Sequence, residues 1–92
     1  MCSQSILNKN KNKVLILYKK SEMLRFVYKS EPTAENKNVL EAICEDLDDE
    51  LSKYYSNTLF FLKLTNEVLF EAYLGLKKEK VKRNLLNQLI NQ

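Results

Sequence analysis

An all-α domain, folded as an antiparallel four-helix bundle, is the class that three features of this 92-residue sequence predict. Glycine and proline occur once each, so the tight turns that join many short strands lack their usual residues. Apolar residues recur at spacings of three and four over long stretches, the period of a helix with one buried side. The breaks between those stretches are short, which sets successive helices antiparallel. A chain of this length makes one domain and one modest core, burying roughly 60 to 65% of the surface its unfolded form exposes.

The first helix is expected over about residues 5 to 30, on a stripe of Ile6, Leu7, Asn10, Val14, Leu17, Tyr18, Leu24 and Tyr28. The alternative is an N-terminal β-hairpin pairing Val14 to Tyr18 with Met23 to Tyr28. It is disfavoured because the intervening Lys-Lys-Ser-Glu holds no Gly, Asn or Asp for the turn and a lone hairpin leaves two open edges. The Asn-Lys repeats before Val14 are weak helix formers, so residues 1 to 12 are expected to fray. Ser30, Glu31, Pro32 and Thr33 end that helix, and Ser30 or Thr33 caps the next, with Glu35 in its first turn. Leu40, Ile43, Leu47, Leu51 and Tyr54 carry the second helix to about Tyr55. Ser56 and Asn57 are expected to end it and cap a third, running as one rod over residues 57 to 74. On that rod Phe61, Thr65, Val68 and Ala72 share the core side, Lys63, Glu67 and Glu71 the opposite side, and Phe60, Phe70 and Leu74 fall beside the charged stripe, toward the outside. Gly75 is expected in the left-handed position that closes it. Val81, Leu85 and Leu89, with Leu86 and Ile90 alongside, make a fourth helix over about Lys77 to Ile90.

Charge is strongly segregated. Residues 9 to 29 hold seven basic side chains and one acid, net +6; residues 31 to 50 hold one base and eight acids, net −7; residues 77 to 83 hold five bases and one acid, net +4. Adjacent antiparallel helices would complement one another in this way while each keeps a solvated face. Histidine is absent, which removes imidazole from catalysis and metal ligation. Cys2 and Cys44 form neither a CxxC pair nor a four-ligand set, so no metal or other cofactor is expected and a reduced compartment fits. A single glycine excludes phosphate loops and nucleophile elbows, so the protein is read as no enzyme and as having no small-molecule substrate. The N-terminus lacks the apolar core of a secretory signal, and Lys63, Glu67 and Glu71 interrupt the most apolar stretch, which argues against a membrane span and for a cytoplasmic protein.

The pattern Asn57, Leu59, Phe60, Phe61, then Thr65, Asn66, Val68 and Phe70, an aromatic-rich helix ending in Thr-Asn with Phe four residues later, resembles the immunity proteins of pediocin-like bacteriocins, in particular the enterocin A immunity branch. Val39, Leu40 and Glu41 open the acidic helix much as in those proteins, and the resemblance extends over roughly residues 36 to 90. It implies a small cytosolic antiparallel four-helix bundle that protects a bacteriocin producer by binding, from inside, a mannose phosphotransferase permease with bacteriocin bound to it. In that family the C-terminal half carries specificity. By position, the resemblance implies a partner-binding surface of Phe60, Lys63, Phe70, Lys77, Lys78, Lys80, Lys82 and Arg83, with peripheral membrane contact. The link between the second and third helices is shorter here than in those relatives. The other reading is a small basic helical regulator associated with nucleic acid through the first and fourth segments. It is disfavoured by the acidic segment in the same small domain and by the lack of a base-reading cluster.

Overall fold

The computed structural model describes residues 2–91. Met1, at the start of the tract expected to fray, lies outside the described residues. Four α-helices and no strand occur among them: α1 (Cys2–Ser30), α2 (Ala34–Thr65), α3 (Glu67–Leu74) and α4 (Lys78–Ile90). Val14 to Tyr28 is thus continuous helix and not a hairpin. At 1.5 Å per residue the 32 residues of α2 span about 48 Å. That matches the long dimension of the molecule, 48 × 27 × 21 Å, so α2 is its spine.

α1 lies antiparallel against α2 along a seam of Asn10, Val14, Leu17, Ser21, Leu24 and Tyr28, spaced four, three, four, three and four. This is the repeat that lets two helices interlock side by side. Val14 and Ser21 are fully buried. Serine serves there because its side chain is short and its Oγ donates to the Tyr18 carbonyl of its own helix at 2.7 Å, so burial leaves no orphaned hydroxyl. Asn10 is the polar member of the seam. Its Nδ2 donates to Glu50 Oε2 at 3.1 Å, and its Oδ1 accepts from Asn57 Nδ2. Sliding α1 by one turn would leave the buried Asn10 carboxamide without its partners and the half-buried Asn57 without its own, so these contacts fix the register.

The connection between α1 and α2 is closed by local hydrogen bonds. Thr33 takes an extended backbone, and its Oγ1 accepts from Asn36 N at 3.2 Å, which makes it the N-cap expected there. Asn36 Nδ2 in turn donates to the Glu31 carbonyl at 2.8 Å.

α4 folds back over the groove between the two long helices. Val81, Leu85 and Leu89 are buried with Val14, Leu47, Leu51 and Tyr54 in one cluster. Lys78 reaches Tyr55 and Lys82 reaches Asp48 and Ser52, so rising numbers on α4 meet falling numbers on α2 and the two run antiparallel. Its far end meets α1, where Leu89 and Ile90 line a hollow with Leu15 and Tyr18. Cys44 is free and half-buried, as a small apolar side chain beside the core; the side chain of Cys2 lies outside the described residues.

Two boundaries differ from those expected. α2 runs straight through Ser56 and Asn57, and the rod expected over residues 57 to 74 is broken at Asn66 instead. Neither Ser56 nor Asn57 forces a helix to end, and Asn57 spends its side chain across the seam on Asn10 rather than on a cap. Asn66 leaves the helical region at φ −151°, ψ 88°, and its Oδ1 accepts from Leu69 N at 3.2 Å, so it caps α3. The break changes which side faces inward. Leu62 continues the buried line from Tyr54, whereas of the expected core positions only Phe61 is half-buried; Thr65 and Ala72 are exposed and Val68 is 79% exposed. Gly75 is the second correction. It closes α3 at φ −75°, ψ −11°, in the ordinary right-handed region, and a Cβ there would meet only the Ala72 and Glu71 carbonyl oxygens at 3.5 and 3.8 Å. The turn is made by Gly75 N donating to Glu71 O and Leu76 N to Tyr73 O, which any residue can do.

Two measurements probe this core. Asn10→Ala removes one partner from Glu50 and the cross-seam partner from Asn57 and should cost about 1–3 kcal/mol in urea unfolding, while Asn8→Ala on the exposed side should stay within about 0.5 kcal/mol. Tyr54 has its phenol pushed above 10.0 by burial, with Thr58 pulling it back in part. Because the folded state holds that proton more tightly, the associated stability is intact below pH 10 and falls as pH rises beyond it. Tyr54→Phe should flatten the alkaline loss of stability relative to wild type.

Candidate protein-docking surface

The segment from Phe60 to Arg83 leaves the core and returns to it. α2 ends at Thr65, the chain turns at Asn66 into the eight residues of α3, and it passes through Gly75 to Lys77 into α4. No residue of α3 is fully buried, although Phe70 and Tyr73 are half-buried and Tyr73 packs against the core. The backbone at the break is held by Asn66 N donating to Leu62 O at 2.7 Å and Phe70 N donating to Asn66 O at 3.0 Å. Thr65 Oγ1 donates back to the Phe61 carbonyl at 2.8 Å, a local bond that competes with helix continuation.

Most of the residues expected on the partner surface are exposed. Phe60 is 57% exposed, and Lys63, Lys77, Lys78, Lys80 and Arg83 are exposed. Lys63 also lies in the last turn of α2, where a cation offsets the negative end of the helix. Lys78 is partly engaged, its Nζ sitting 5.7 Å from the centre of the Tyr55 ring. Phe70 is half-buried rather than free.

Lys82 is a correction. It is 5% exposed, and its Nζ donates to Asp48 Oδ1 at 3.0 Å and Ser52 Oγ at 3.2 Å, with Glu79 Oε2 at 3.8 Å. It lies one residue from Val81 on the buried side of α4, so its stem packs and its ammonium pins α4 to α2. That role removes it from any partner surface.

Sequence reasoning missed most of the apolar side chains that the Asn66 break turns outward. Leu64, Val68 and Leu69 flank the break and Leu76 follows Gly75; all four are exposed, as is Leu74, which the sequence had set toward the outside. With Phe60 they form an apolar run that meets a cationic one, Lys77, Lys78, Lys80 and Arg83. The cue to it was Asn66 itself, a good cap in the middle of the most apolar stretch. Among the described residues no cluster of three or more His, Cys, Asp or Glu is placed to hold a metal ion, and no helix is long and apolar enough to cross a membrane. What this surface offers is contact: exposed apolar side chains followed by positive charge, of which Lys78 is drawn onto the Tyr55 ring.

Compared with known protein families, with characterised proteins and with solved structures, the chain matches none.

The two roles of lysine here separate by mutation. Lys82→Met keeps the packed stem and leaves Asp48 in solvent, so it should change stability by no more than about 1 kcal/mol or raise it, whereas Lys82→Ala opens a void and should lower the melting temperature.

Proposed function

We propose that this chain is a bacteriocin immunity protein that works by binding rather than by catalysis. It would act from the cytosolic side of the membrane, on a permease of the mannose phosphotransferase type that has bacteriocin bound. The observation that carries the reading is the elbow at Asn66, where Phe60, Leu64 and Val68 stand exposed and from which the chain runs through the short α3 into the cationic start of α4. A membrane-embedded protein presents apolar helix ends next to anionic headgroups at its inner face, and such a surface complements the elbow in both respects. The resemblance of residues 57 to 70 to pediocin-like immunity proteins agrees with this use, and so does the all-α architecture. The specificity-bearing part is then Phe60, Lys63 and Leu64 with Lys77, Lys80 and Arg83. Lys82 supports α4 from beneath.

Expression of the chain in a bacteriocin-sensitive strain, followed by challenge with a panel of pediocin-like peptides, tests the reading. Survival should rise for at least one peptide. Phe60→Ser combined with Leu64→Ser should abolish that protection without lowering the helical circular dichroism signal, since both side chains are exposed. Survival unchanged across the panel would remove the proposal.

A further inference from the structure

We propose that the outward face of α1 is a docking surface for an anionic lipid bilayer. α1 is apolar on two sides. One side is the seam against α2; the other carries Ile16, Met23 and Val27, which at 100° per residue fall within roughly 40° of one another, with Phe26 beside them. These are not marginally solvated: Met23 is 69% and Phe26 73% exposed. Lys9, Lys13, Lys19 and Lys20 share that half of the helix, all exposed, and no carboxylate does.

The charged groups facing this surface come from two helices. Glu22, the one acid of α1, stands at the edge and accepts from the Tyr18 hydroxyl at 2.7 Å; it lines a shallow hollow with Arg25, Phe26 and Lys29. On the α2 side, Asp46, Asp49 and Glu50 flank Lys13 and Ile16 across a groove. The end of the face nearest α2's acids is therefore balanced, and the unbalanced part is Lys19, Lys20, Met23, Phe26 and Val27.

Apolar side chains ringed by lysines fit a bilayer better than the other occupants. Lysine stems lie along apolar surface while their ammonium groups reach headgroup phosphates, which lets Met23 and Phe26 enter the acyl boundary. Nucleic acid would use the lysines and leave the apolar side chains in water. A second copy would set the cations of α1 against the same cations. The surface is separate from the Asn66 elbow and does not rest on the immunity reading.

The chain has no tryptophan, so Phe26→Trp introduces a single reporter. With vesicles of mixed phosphatidylglycerol and phosphatidylcholine its emission should shift to the blue and the protein should float with the vesicles; with phosphatidylcholine alone neither should occur. Lys19→Gln with Lys20→Gln should weaken the association by roughly fivefold per lysine. Met23→Gln should weaken it with an unchanged far-ultraviolet circular dichroism spectrum. No shift on anionic vesicles, or an equal shift on neutral ones, overturns the proposal. So does binding to duplex DNA that outcompetes the vesicles and ignores Met23→Gln, or a dimer in sedimentation that Met23→Gln dissolves while vesicles stay unbound. Bacteriocin survival reads the elbow, and vesicle flotation reads α1, so failure of one leaves the other standing.

Discussion

The contact between Asn10 and the pair Glu50 and Asn57 is the constraint on which the remaining geometry depends. An apolar seam of four and three spacing tolerates a slip of one heptad with little loss, because one Leu or Val fills the place of another. A buried carboxamide that must both donate and accept does not. With α1 and α2 in fixed register, Val14 meets Leu47 and Leu51, and the groove they form accepts Val81, Leu85 and Leu89. Shifting the seam would misplace Asp48 and Ser52 relative to α4, and the second polar pin, Lys82, would lose its partners as well. Two specific polar contacts thus orient three helices whose apolar surfaces alone would accept several arrangements.

Charge segregation follows from the same arrangement. The acidic residues of α2 lie between the basic α1 and the basic start of α4, and they meet them unevenly. Asp48 is engaged by Lys82, Glu50 by Asn10 and Lys53, while Asp46 and Asp49 only flank Lys13 across an open groove. Most of these charges remain in water, where a pair contributes little to stability. Their larger effect is on which basic side chains they balance: Lys13 faces Asp46 and Asp49 across the groove, and Lys82 is drawn onto Asp48.

How much of this was legible in the sequence varied with the kind of signal. The helical class, a cap at Ser30 or Thr33, of which the structure uses Thr33, and the buried line of α4 follow from three-and-four spacing and from Pro32, because those residues leave few other solutions. The seam was nearly complete; Ser21 was missed because a polar residue at a core position is read as a gap, although its hydroxyl bonds its own backbone. The boundary at Ser56 and Asn57 was misread because Asn serves equally as a cap and as a cross-seam partner, and only the position of Asn10 decides between them. Once that boundary moved, the phase of everything to Gly75 moved too, so Val68 was placed inward and Leu64 was not noticed. Lys82 was counted with its basic neighbours because charge density does not reveal that one member of a cluster points at another helix.

Asn66 divides the molecule mechanically. On one side lie the three helices that bury Val14, Leu51 and Val81; on the other lies α3, which contributes no fully buried side chain and is held at its start by a few hydrogen bonds to one residue. Because the cohesion of a core resides in its buried area, and Tyr73 is the one side chain of α3 that packs against it, α3 contributes less to that cohesion than the long helices do. A substitution on the exposed side of α3 therefore perturbs what the segment touches from outside more than it perturbs the folding of the chain.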